Sequence, residues 1–177
     1  MTLRAIHVLH VVVLVVVFCG HLAAAPQEGE RLISAGTLEL GVSGMLTSVE
    51  STLQAKLGLR GGTFFEAPLG LWGAEAEFSY ATVRSLHQFD VEANVSWTLP
   101  VDAKGIFPYL ALAGGVRIEH VGSFRQTLVP LGISAGLRVL VSDYAGVRLD
   151  AKVRRVTNDP VQNFTEVNLA LGLSLFL

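Results

Sequence analysis

Cysteine is all but missing from this chain: the single one, Cys19, lies within the first two dozen residues. Downstream of it no disulfide can form, and no thiolate is offered to a metal or a substrate. Charge clusters are missing too. Lys and Arg number 13 against 15 Asp and Glu, a formal net charge of -2 with no basic run. The electrostatic footprint of a nucleic-acid binder is therefore absent, and nucleic acid is excluded as an expected partner. After the first two dozen residues no apolar run approaches the roughly 20 residues of a transmembrane helix. There is no stretch of 3.6-residue periodicity, no low-complexity linker and no compositional shift marking a second domain.

What the N-terminus does have is a basic start at Arg4, an apolar core from Val8 to Phe18 and a small-residue end at Ala23-Ala24-Ala25. Those three parts make a secretory signal peptide over residues 1–25. Cleavage after Ala24 and after Ala25 both remain open, because Pro26 would make the second scissile nitrogen tertiary. The apolar core is short for an uncleaved anchor, and Phe18 stands where a lipidated Cys19 would need a small residue. Residues 26–36 are read as a short periplasmic lead-in, and 37–177 as the domain proper.

The whole chain is 51% hydrophobic, and beyond the leader, without long runs, that content must be dispersed. From Thr37 onward it is dispersed with period two, in segments of about ten residues separated by turn-like stretches. Leu38, Leu40 and Val42 alternate with Glu39, Gly41 and Ser43. Leu53, Ala55, Leu57 and Leu59 alternate with Gln54, Lys56, Gly58 and Arg60. Trp72, Ala74, Ala76, Phe78 and Tyr80 oppose Gly73, Glu75, Glu77 and Ser79, and Phe89, Val91, Ala93, Val95 and Trp97 oppose Asp90, Glu92, Asn94 and Ser96. Four more segments follow, around Leu110–Glu119, Leu131–Val139, Val147–Arg154 and Val167–Leu175. The fold class expected is all-β: an eight-stranded antiparallel up-and-down barrel.

Alternation alone does not say which side faces in, since a soluble barrel points its apolar side inward and a membrane barrel points it outward. The aromatics decide for the membrane. Trp72 and Tyr80 are eight residues apart on one apolar face, and Phe89 and Trp97 are eight apart on the next. At roughly 3.3 Å per residue and a tilt near 40°, eight residues climb about 20 Å, close to the roughly 25 Å apolar band that aromatic girdles flank. Trp72 with Trp97, and Tyr80 with Phe89, then form the two girdles. In hydrocarbon every backbone N–H and C=O needs a partner in the protein, so strands span only as a closed barrel. Pro108, opening segment five, and Pro130, read near the start of segment six, put their missing donors toward segment ends.

The inward residues follow from the same register. The acids are Glu39, Glu75, Glu77, Asp90, Glu92, Glu119 and Asp150; the bases are Lys56, Arg60, Arg117, Arg138, Arg148, Lys152 and Arg154. The signs balance, and in an interior just wide enough for side chains they can neutralise one another. That reading is a charge-plugged lumen. Its rival is a narrow channel for small solutes, with the charges separated by water.

The strand opening Pro108-Tyr109-Leu110-Ala111-Leu112-Ala113-Gly114-Gly115-Val116, and the run Gly132-Ile133-Ser134-Ala135-Gly136-Leu137-Arg138 through the turn Ser142-Asp143 into Val147-Arg148-Leu149-Asp150, resemble the outer-membrane-protein β-barrel domain family, which includes OmpX/OmpA-type barrels. The resemblance is one of pattern over the mature chain. It implies location in the cell outer membrane, a periplasmic N-terminus, and contact with outer-membrane lipid and lipopolysaccharide. Leu175-Phe176-Leu177 resembles the targeting strand of such proteins, although Leu177 is last and Phe176 falls in the inward register; it implies the barrel-assembly machinery as a partner. The outer loops implied are about 46–51, 82–86, 120–126 and 156–164. They are short, and display only a small outer surface to an unknown surface partner.

Small barrels also include lipid A deacylases and acyltransferases, which set a His with a Ser and an acid at the outer rim. Here the candidates are His87 with Ser85, and His120 with Ser123 and Glu119. The deacylases carry a His-x-Ser pair in the penultimate strand, where this chain reads Arg154-Arg155-Val156-Thr157. No enzyme activity, cofactor or metal is therefore expected. The function expected is a structural or membrane-integrity role. A solute channel, a lipid A-modifying enzyme and a soluble periplasmic ligand-binding barrel are the alternatives.

Overall fold

In a computed structural model of the protein, the residues described are 33–49, 52–83, 85–100, 105–158 and 162–177. The signal-peptide reading over 1–25 and most of the 26–36 segment lie outside them. Every regular element described is a strand: β1 (Leu38–Val49), β2 (Thr52–Ala67), β3 (Gly70–Val83), β4 (Leu86–Thr98), β5 (Ile106–Val121), β6 (Phe124–Ser142), β7 (Ala145–Asn158) and β8 (Gln162–Phe176). Neighbours in sequence pair antiparallel, and β8 pairs β1 to close the barrel. Closure leaves no edge strand, so the ladder of each strand is used on both sides.

The barrel is inside out relative to a soluble one. Leu57, Leu112, Ile133 and Leu173 are 72%, 66%, 62% and 63% exposed, whereas Glu39, Arg117 and Arg138 are each 1% exposed. An exterior of Leu, Val, Ile and Phe around the whole sheet is far beyond what a soluble monomer leaves in water. This excludes the soluble ligand-binding alternative, which needs the opposite orientation.

Two features differ from the sequence reading. The strands run through most of the segments read as outer loops: 46–49, 82–83, 120–121, 124–126, 156–158 and 162–164 are all strand. The connections at that end shrink to two or three residues. Pro130 also lies deep in β6, facing inward, not near its start. Its missing N–H is accommodated locally: β5 and β6 pair up to Gly114↔Leu131 and again from Arg117↔Leu128, with no paired residues between.

At the termini end, where β1 starts and β8 finishes, the interior is apolar. Ile33, Phe64, Leu71 and Phe176 form a buried cluster, with Phe107 and Leu140 packed against it. Ile33 belongs to the lead-in before β1, which is tied down where Gly36 N donates to Phe64 O at 2.8 Å. Phe176 is the inward-facing aromatic of the last strand and fills the same floor.

Candidate functional site: the charged lumen

Above the apolar floor the interior is built from ion pairs. Glu39 on β1, Glu75 on β3, Arg138 on β6 and Arg148 on β7 converge from four strands. Arg138 Nε reaches Glu39 at 3.0 Å and its Nη2 contacts Glu75; Arg148 Nη1 lies 2.7 Å from Glu75 and 3.5 Å from Glu39. Ser174 donates to Glu39 at 2.6 Å. Tyr109 packs its ring under both guanidiniums, 4.1 Å from Arg138 and 4.6 Å from Arg148, and its hydroxyl donates to Asp150. Arg60 completes this layer, 3.1 Å from Asp150.

Higher up, Lys152 bridges Glu77 at 3.0 Å and Glu92 at 2.8 Å, and Arg154 also contacts Glu92. The layer nearest the hairpin end, where β1–β2, β3–β4, β5–β6 and β7–β8 connect, centres on Asp90. Lys56 approaches it at 3.2 Å, Arg117 at 2.7 Å and Arg154 at 3.3 Å. Glu119 lies farther out, 3.7 Å from Arg117, and accepts from Gln126 at 2.7 Å. Thr47 and Asn168, with the buried Leu128 and Val156, lie inside near that end.

All fourteen charged residues read as inward from the sequence face the interior in this way. One more belongs with them. Glu166 on β8 is 1% exposed and accepts from Arg117 at 2.5 Å and from Arg154 at 2.8 Å. Sequence reading began the last strand at Val167 and so missed it, although Glu166 has the parity of Asn168 and Ala170. With Glu166 the acids outnumber the bases by one, so the balance of signs read from the sequence is not exact.

Long side chains need room, and inward glycines directly opposite them supply it. Glu75 faces Gly62, Glu92 faces Gly115 and Arg154 faces Gly132 across the neighbouring strand. A Cβ on those glycines would come within 2.7, 2.9 and 2.8 Å, respectively, of the Cγ of the charged partner. The small residues and the charges are thus two halves of one packing pattern.

On the exterior, Trp72 and Trp97 are cross-strand partners with ring centroids 6.4 Å apart at the termini end. Their indole N–H groups donate to Pro68 O at 3.2 Å and Leu69 O at 2.9 Å. Tyr80 and Phe89 pair at the hairpin end, 4.8 Å apart. The rim residues considered for catalysis are not brought together. Glu119 points into the lumen while His120, the next residue of β5, points out. Ser85 and Ser123 lie exposed in turns, and His87 holds Tyr80, with the phenol oxygen 2.9 Å from Nδ1.

No protein-family profile and no curated protein matches the sequence. Solved structures do. Neisserial surface protein A (NspA) superposes with a TM-score of 0.60 at 13% identity, covering 78% of this chain and 95% of that one. The N-terminal β-barrel domain of Pseudomonas aeruginosa OprF gives 0.59 at 13% identity, covering 81% and 98%. The outer membrane enzyme PagL gives 0.57 at 16% identity, covering 76% and 97%. The fold is that of a small outer-membrane β-barrel. The barrel covers nearly the full length of each of those chains, and its apolar exterior is the surface such a fold presents to lipid.

Proposed function

We propose that this barrel is a structural protein of the outer membrane, contributing to membrane integrity, with a lumen closed by its own charges. The observation that carries the reading is the pairing of the interior. Asp90, Arg117, Arg138 and Glu166 are almost wholly buried and each contacts at least two opposite charges. An eight-stranded barrel is just wide enough for side chains to fill. The apolar floor of Ile33, Phe64, Leu71 and Phe176 supports closure at the second end.

The test is electrical. Purified barrel inserted in a planar lipid bilayer is expected to give no discrete conductance steps in 1 M KCl. Reproducible steps that disappear with boiled protein would replace this reading with that of a narrow solute channel. As a prior check, the unboiled protein is expected to run faster in SDS gels than the boiled one.

A further inference from the structure

Four side chains on the outside of the barrel form a continuous strip at the end away from the termini. Thr82 pairs with His87, His87 with His120, and His120 with Arg125, so the strip crosses β3, β4, β5 and β6 without a gap. Each residue is the second one in from the strand end beside a hairpin connection. Their sequence neighbours Gln88, Glu119 and Gln126 face the lumen, so period two turns all four outward.

We propose that this strip binds the phosphate of a membrane-lipid headgroup. The inference rests on the barrel spanning a membrane, and goes beyond that reading by assigning a site. Three observations carry it. The first is height: the next row toward the barrel middle is Tyr80, Phe89 and Ile118, which pair across the same strands. Aromatic rows mark the boundary between hydrocarbon and headgroups, so the strip faces the headgroup layer.

The second is uncompensated donor chemistry. Arg125 is exposed and forms no ion pair among the described residues, in contrast to the lumen arginines. The nearest acid in sequence to His120, Glu119, is turned inside and engaged by Gln126 and Arg117. What remains is a guanidinium, two imidazoles and a hydroxyl, with cross-strand neighbours about 5 Å apart. A guanidinium binds phosphate oxygens in a bidentate manner. The adjacent guanidinium disfavours a divalent cation on the histidine pair.

The third is preorganisation. Tyr80 sets the His87 ring: phenol and Nδ1 are 2.9 Å apart and the two rings stack at 17°. A phenol donating to Nδ1 would place the imidazole proton on Nε2 and leave that nitrogen a donor.

The probe is a matched pair of lipids, phosphatidic acid and diacylglycerol with identical acyl chains, offered in mixed micelles to the purified full-length barrel. Native mass spectrometry counts the lipid retained. The wild type is expected to retain phosphatidic acid over diacylglycerol, and the double variant His120→Asn, Arg125→Gln to lose about tenfold of that preference. Val91→Ala, in the apolar belt, leaves it unchanged. Where the double variant lacks the faster unboiled band, single Arg125→Gln carries the comparison.

No preference in a wild type that shows the band overturns this inference alone, as does equal preference in wild type and variant. Displacement of the lipid by an equal concentration of inorganic phosphate would mean that the site reads a free anion, and overturns it too. Zinc chloride binding that is lost with His120→Asn, with lipid retention unaltered, would reassign the strip to a metal. A wild type without the band removes the membrane reading and this inference together.

Discussion

Replacing Asp90 by Asn keeps the volume of the side chain, removes its charge and turns one accepting oxygen into a donor that faces other donors. The carboxylate is 2% exposed and stands among Lys56 at 3.2 Å, Arg117 at 2.7 Å and Arg154 at 3.3 Å. Glu166 and Glu92 remain for the two arginines, but Lys56 has no other acid within ion-pair distance among the described residues. Removing one partner of a buried ion pair costs about 3–5 kcal/mol, because the other charge is left uncompensated in a poorly solvated site. Taking a urea slope of about 2 kcal/mol per M, the unfolding midpoint should fall by roughly 2 M. Unfolding of the barrel in phosphatidylcholine vesicles, followed by the emission of Trp72 and Trp97 and by the faster unboiled band, measures this. Glu119→Gln is the internal reference: its partner is 3.7 Å away and its side chain is 12% exposed, so about 0–1 kcal/mol is expected. A shift for Asp90→Asn no larger than for Glu119→Gln would refute the reasoning. It would mean that water screens the lumen as it screens a surface, which is the condition a channel requires.

Two further outcomes follow from backbone and packing. Gly115→Ala should destabilise the barrel by about 1–3 kcal/mol, since a Cβ there meets Val91 O and would stand 2.9 Å from Glu92 Cγ; the same vesicle titration reads it, and an unchanged midpoint would show that β4 and β5 can part to admit a methyl group. Leu69→Gly should instead stabilise by about 0.5–1 kcal/mol, because Leu69 is exposed and sits at a φ of 78°, a left-handed conformation that costs a residue with a Cβ. A lowered midpoint would mean that the Leu69 side chain contributes more than its backbone strain removes.

The sequence made the fold legible wherever the two faces differ in polarity. Along β3 and β4 they differ at every step from Trp72 to Tyr80 and from Phe89 to Trp97, so strand, register and face could all be read. Legibility failed at the ends, for physical reasons. At the termini end the interior is itself apolar, so Phe64-Phe65 and Leu71-Trp72 put hydrophobic residues on both faces and erase the alternation. The sequence reading consequently stopped β2 at Arg60, whereas the strand runs to Ala67. At the hairpin end the exterior turns polar, as in Thr82, His87, His120 and Arg125, and those residues were read as loop or rim. Glu166 was lost the same way, behind the polar Asn163 and Thr165. The pairing of charges across the lumen was not legible either, since period two gives the face of a residue and not its partner. The opposition of Gly62, Gly115 and Gly132 to Glu75, Glu92 and Arg154 is a signal that could have supplied part of the register.

That register raises the question of what holds it, since an apolar exterior in lipid exerts no preference among slipped pairings by itself. A slip of one residue moves every inward side chain of a strand to the outside. In β7 such a slip would carry Arg148, Lys152 and Arg154 from their acids into lipid. Basic residues on the lipid face cost about 2–4 kcal/mol each near the midplane and less toward the interfaces, so the three together would cost several kcal/mol, a large share of the stability of many folded domains. In β4 the same slip would strip Asp90 and Glu92 from the lysines and arginines around them. The charged interior therefore does for this barrel what an apolar core does for a soluble sheet: it makes one pairing far more favourable than its neighbours. An interior of that kind has a reason to exist without any solute to conduct or substrate to turn over, and this is the strongest physical ground for reading the protein as structural.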